Sequence, residues 1–205
     1  MTRSHRTEPQ GNPKRFLSGA LLLTAVGSAA FAQSTMSQQN SAAAPAASEI
    51  APRGQREVKD LTYSDWKKLC FKPGGAKMIC RTSIAGTFPT GQMAVRVDVV
   101  EREGDATARV QVFCPVGMYL PKPATLAIDQ GKPFNVPYTW CLTNACIAGA
   151  AADSKMIQEM NSGQTLRLEF VDSNLLSLTT SLPLGQFAAV HKGAPAQIFD
   201  QDIDE

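Results

Sequence analysis

Residues 92–114 read QMAVRVDVVEREGDATARVQVFC. Met93, Val95, Val97 and Val99 share one parity, and Gln92, Arg96 and Asp98 fall on the other, the period of a strand with one buried face. After REGDA the pattern resumes, with Val110, Val112 and Cys114 alternating against Arg109, Gln111 and Phe113. Two alternating runs joined by a tip rich in turn residues predict a hairpin.

The same reading extends outward. Leu166, Leu168 and Phe170 alternate with Thr165, Arg167 and Glu169, and Leu176, Leu178 and Leu182 follow a VDSN turn. Shorter runs at Leu126–Asp129 and Phe134–Cys141 complete a set of strands spaced as in an all-β antiparallel sandwich. Only DSKMIQEMNSG, residues 153–163, breaks the period. Asp153 is placed to cap a helix, Met156, Ile157 and Met160 recur at helical spacing, and Gly163 falls just past its end. A second helical turn is expected near Gly185–His191.

The ends carry other signals. Arg3, Arg6, Lys14 and Arg15 precede an apolar run from Phe16 to about Ala30, and Ala30-Phe31-Ala32 fits an A-x-A cleavage site. Residues 1–32 are therefore expected to be a secretory signal peptide, leaving no membrane span after cleavage. Residues 33–60, rich in Ala, Ser, Gln and Pro, read as a flexible leader. One domain is expected over 61–193, followed by an acidic disordered tail over 194–205.

The chain of 205 residues has 20 Lys and Arg against 18 Asp and Glu. Without the four bases and Glu8 of the signal, 16 oppose 17, so the remainder is near neutral. No run of Lys and Arg forms a phosphate-binding stripe, and a nucleic-acid partner is not expected.

An exported address makes disulfides the default for the five cysteines, although one left over allows fifteen pairings. Turn chemistry narrows them. Cys70 and Cys80 lie symmetrically about Gly75 in CFKPGGAKMIC, where Pro73 and Gly74 favour a reversal, and Cys141 and Cys146 lie symmetrically about Thr143-Asn144. Asn144 would take the left-handed conformation of a two-residue loop. Each pair reads as a clip across its own hairpin, contributing roughly 2 to 3 kcal/mol by the chain-entropy argument. Convergence of these four on zinc is disfavoured by the C-x9-C spacing, and neither pair has the C-x-x-C of a redox centre. Cys114 remains as an unpaired thiol whose parity turns it toward the core.

Catalytic chemistry is sparse. His191, read as a surface residue, is the only histidine after the signal, so no imidazole triad or zinc cluster is expected. There is no G-x-S-x-G, H-E-x-x-H or Walker loop. Glu101, Glu103 and Asp105 read as solvated charges on a hairpin tip, and Asp129-Gln130-Gly131 as a turn. No catalytic residue, metal or cofactor is expected. A carboxylate-based periplasmic hydrolase is the alternative, and it would need a pocket with two converging carboxylates near Asp98, Asp129 or Glu169.

The ordered series of features resembles the invasion-associated locus B family of small exported bacterial proteins. It runs from Asp65-Trp66 through Cys70 and Cys80 to CPVGMYLPKPATLAIDQGKP, Tyr138-Thr139-Trp140-Cys141, Cys146 and Ala148, then the helix Met156 to Gly163 and the strand LRLEF. Departures are Ala145 before the second cysteine of its hairpin, Cys114 before the Pro-x-Gly turn, and the Gly185-Gln186-Phe187 ending. The resemblance implies an immunoglobulin-like sandwich, a periplasmic, secreted or outer-surface location and an association with host-cell invasion, with no catalytic residue to transfer. The expected role is a non-enzymatic binding module for an unknown envelope or host-cell protein. Its expected contact is the loop MYLPKP, where Met118, Tyr119 and Leu120 are large apolar groups held next to prolines.

Overall fold

The computed structural model describes residues 50–201. The expected signal peptide, most of the leader and the last four residues of the tail lie outside that range. The strands are β1 Gly54–Glu57, β2 Thr62–Tyr63, β3 Lys67–Pro73, β4 Ile79–Thr87, β5 Met93–Arg102, β6 Ala108–Cys114, β7 Ala124–Ile128, β8 Phe134–Val136, β9 Tyr138–Cys141, β10 Cys146–Ala152, β11 Thr165–Val171, β12 Leu176–Pro183 and β13 Gln197–Gln201. Two short helices, α1 Ser154–Ser162 and α2 Phe187–Lys192, complete the elements.

They form two sheets. The smaller runs β1-β12-β11-β7-β8; the larger runs β13-β3-β4-β5-β6-β10-β9, with β2 paired to β4. Alternation explains the packing: Val95, Val97, Val99, Val110 and Val112 from the larger sheet meet Leu126, Leu168, Phe170 and Leu182 from the smaller in one buried core. The fold is an all-β sandwich with two short helices, as the periodicity predicts.

Two strands lie outside the span expected for the domain. Gly54–Glu57, in the expected leader, pairs parallel to β12, and Gln197–Gln201, in the expected tail, pairs parallel to β3. Neither has an apolar period to read. Both are held by backbone pairing to distant segments, and Phe199 also stacks on Phe71 with ring centroids 5.1 Å apart. These two pairs are the parallel exceptions in sheets that are otherwise antiparallel.

The helices close one end of the sandwich. Asp153 caps α1, its side chain accepting from the Met156 N–H at 2.8 Å, and Met156 and Met160 are buried beneath it. In α2, Phe187 packs edge-on against Trp66, whose indole N–H donates to the Pro183 carbonyl at 2.7 Å. His191 is not a surface residue. Its place on α2 turns it inward, where it stacks on Phe187 and lies 3.2 Å from the Glu101 carboxylate.

Candidate functional site

Both cysteine clips form as expected. Cys70 is opposite Cys80 across β3 and β4, and Cys141 opposite Cys146 across β9 and β10, each pair disulfide-bonded. The first reversal uses Gly75 at φ 66° and a bond from the Ala76 N–H to the Pro73 carbonyl at 2.8 Å. The second closes differently from expectation. Leu142 donates its N–H to the Ala145 carbonyl at 2.7 Å, and Asn144 is not among the positive-φ residues, which among the described residues are Asp60, Asp129 and Leu175 outside glycine.

Cys114 is a free, buried thiol. It lies directly opposite Cys146 across β6 and β10 and donates weakly to the Cys146 carbonyl at 3.5 Å. Burial pushes its pKa up to about 11, countered in part by the Tyr138 hydroxyl, so it stays protonated at neutral pH. Among the described residues no group of three or more His, Cys, Asp and Glu is arranged to hold a metal.

The loop singled out from the sequence closes the end of the sandwich opposite the helices. Its backbone hangs on the β11–β12 turn: Tyr119 N–H donates to Val171 O and Ser173 N–H to Gly117 O, both at 2.8 Å, and Met118 bridges to Asp172. Gly117, at φ 88°, supplies a left-handed bend that few other residues adopt. The turn is rigid in its own right, because the Asp172 carboxylate accepts from the N–H groups of Asn174 and Leu176 at 2.9 Å.

Beneath this loop the sheets part over an apolar cleft of about 300 Å³. Val95, Phe170 and Leu178 form its floor, Phe88 and Met118 its walls, and Arg56 and Asp172 lie at its polar margin. Sequence reasoning places Met118, Tyr119 and Leu120 together as one patch; the structure separates them. Met118 packs half-buried against the core, Tyr119 is half-buried, and Leu120 stands out at 47 % exposure with Val116 beside the cleft at 48 %. Val116, Phe88 and Arg56 come from three separated segments with no shared local pattern that the sequence could show.

The carboxylates named for a hydrolase are each engaged by other groups. Asp129 and Glu169 line one hollow of about 160 Å³ on the outward face of the smaller sheet. Asp129 accepts from the N–H groups of Gln164 and Thr165 at 3.0 and 2.9 Å, whereas Glu169 accepts from the Ser177 hydroxyl at 2.6 Å. Thr165 and Glu169 are four steps apart on β11, roughly 13 Å along the strand.

Asp98 lies elsewhere, on the outward face of the larger sheet. Its side chain is 1 % exposed, between Arg96 Nε at 3.1 Å and Arg81 Nε at 3.9 Å. Desolvation raises its pKa, opposed by the charges of Arg96 and Arg81.

The class of protein is a small disulfide-clipped all-β sandwich with a loop-covered apolar cleft. Residues 66–195 match the family described as Invasion associated locus B (IalB) protein, and the chain belongs to that family. Two relatives from Brucella abortus, strains 2308 and 9-941, each described as an invasion protein B homolog, are 26 % identical over 117 residues. The match covers 57 % of this chain and 66 % of theirs, slightly under two thirds of the relatives' length. The crystal structure of invasion associated protein B from Bartonella henselae shares the fold, with TM-score 0.56 and 21 % identity over 63 % of this chain and 90 % of that one.

Proposed function

We propose that the chain is an exported, non-enzymatic binding module of the cell envelope or cell surface, associated with host-cell invasion, which captures a protein partner through the loop-covered cleft. The two disulfides are compatible with an extracytoplasmic location, and no described helix is long and apolar enough to cross a membrane. The names of the Brucella and Bartonella relatives support the link to invasion.

The observation that carries the reading is the cleft itself. An apolar hollow of about 300 Å³, with Val116 exposed at its lining, Leu120 exposed two residues beyond the lining Met118, and its wall pinned by backbone bonds, suits one large apolar side chain of a partner. Pinning the loop beforehand lowers the ordering cost of binding. The test places a photo-crosslinking residue at Leu120 in intact cells and compares partner capture in that background with and without Val116→Ser, and with and without Tyr119→Ala. Loss of one specific adduct in folded variants supports the cleft. Capture unchanged by all of these substitutions would exclude it.

A further inference from the structure

The near-neutral sequence conceals an uneven distribution of charge. Register places Lys67 on β3, Arg81 on β4, Arg96 and Arg102 on β5 and Arg109 on β6 on one face, the side of the larger sheet turned away from the core. The contacts agree: Arg81 and Arg96 both reach Asp98, and Arg109 lies over Gly149, the outward residue opposite Gln111. The carboxylate on that face within the strands is Asp98, which is buried between two of the arginines. Glu103 and Asp105, with Lys77, stand off at the β5–β6 tip.

Those cations are presented in a fixed frame. Arg96 lies 3.6 Å above the Phe113 ring, and Arg81 lies 5.7 Å from the Phe71 ring, itself stacked on Phe199. Both ion pairs to Asp98 run through Nε, and the Arg81 and Arg96 side chains keep 33 % and 28 % of their surface in solvent. Lys67, Arg102 and Arg109 are exposed. The outward face of the smaller sheet has the opposite balance, with Glu57, Asp129 and Glu169 against Arg167.

Spacing selects the kind of partner. Arg81 and Arg109 share a row with Val100 between them, about 10 Å apart at the usual strand separation. Arg96 is four residues from Val100 along β5, roughly 13 Å. Arg81 and Arg96 bridge their interval by sharing the Asp98 carboxylate, whereas the exposed Lys67 and Arg102, two strands and four residues apart, stand roughly 16 Å apart backbone to backbone and suit a polymer with repeated charges. Phe71 and Phe113 are half-buried, with Arg81 and Phe199 against the first and Arg96 over the second. Trp140, which register places on the same face through Ile147 and Phe113, is 51 % exposed and offers a free ring for stacking.

We propose that the outward face of the larger sheet binds a linear anionic polysaccharide, with Lys67, Arg81, Arg96, Arg102 and Arg109 meeting its sulfate or carboxylate groups and Trp140 its sugar rings. This surface is separate from the cleft and stands whether or not the cleft binds a protein.

The test uses heparin as the probe, with calorimetric titration of the folded protein across a salt series. Two triple variants carry the same change of charge: Lys67→Glu/Arg102→Glu/Arg109→Glu on the face, and Lys132→Glu/Lys155→Glu/Arg167→Glu away from it. The face variant should weaken binding by about tenfold or more and flatten the salt slope, while the control changes it by less than about twofold. The single Arg109→Glu, at an exposed site, repeats the comparison with minimal disturbance. No binding at low salt, equal losses in both triples, or equal affinity for vesicles of phosphatidylglycerol would overturn the proposal.

Discussion

The two ends of the sandwich are sealed by different means. At one, α1 and α2 press Met156, Met160 and Phe187 into the core, and Trp66 closes the seam. At the other, a loop held by backbone hydrogen bonds lays Met118 over the gap and leaves an apolar hollow. Side-chain packing closes the first end and main-chain geometry the second. Packing fills the space beneath the helices with side chains, whereas a pinned loop keeps an apolar hollow beneath it without collapsing.

Substitutions that probe each end should separate these roles. Phe187→Ala should have the largest effect on stability, about 3 to 5 kcal/mol in denaturant unfolding, because the site is fully buried against Trp66. Opening the clips comes next. Cys70→Ala/Cys80→Ala should cost about 3 kcal/mol and Cys141→Ala/Cys146→Ala about 2, in line with their loops of separation 10 and 5. An equal or reversed order would show that packing around the sulfurs outweighs chain entropy.

At the loop end, Met118→Ala should cost only about 1 to 2 kcal/mol, since the side chain is half-buried. A loss as large as that of Phe187 would erase the contrast. Midway between the ends, Asp98 gives a check read as a slope against pH. Its folded-state pKa is raised by burial, so its contribution is complete below the usual aspartate range and is lost as pH rises through the raised value. The stability of wild type relative to Asp98→Asn should therefore fall across that window; a rise would mean that Arg96 and Arg81 outweigh desolvation. Val116→Ser and Leu120→Ser should change stability least, by under about 0.5 kcal/mol, while removing partner capture.

Much of the fold is legible where burial follows local period. Val95, Val97 and Val99 are inside as their parity predicts, Asp153 caps its helix, and the cysteines pair across their hairpins. What escapes the sequence depends on distant partners. β1 and β13 lack an apolar period and are strands because β12 and β3 offer them open edges. Asp98 falls on the polar parity yet is buried, because Arg81 and Arg96 from neighbouring positions cover it. The loop around Met118 is visible as an apolar run between prolines, but the cleft needs Phe88, Phe170 and Arg56 from elsewhere.

β13 has a bearing on how the protein should be handled. It covers the outer hydrogen-bonding groups of β3 along its second half, so trimming the chain after Ala196 would leave a bare ribbon ready to recruit another molecule's strand. A proteolysed preparation should then elute as oligomers, and affinity tags belong at the amino-terminal side of the domain.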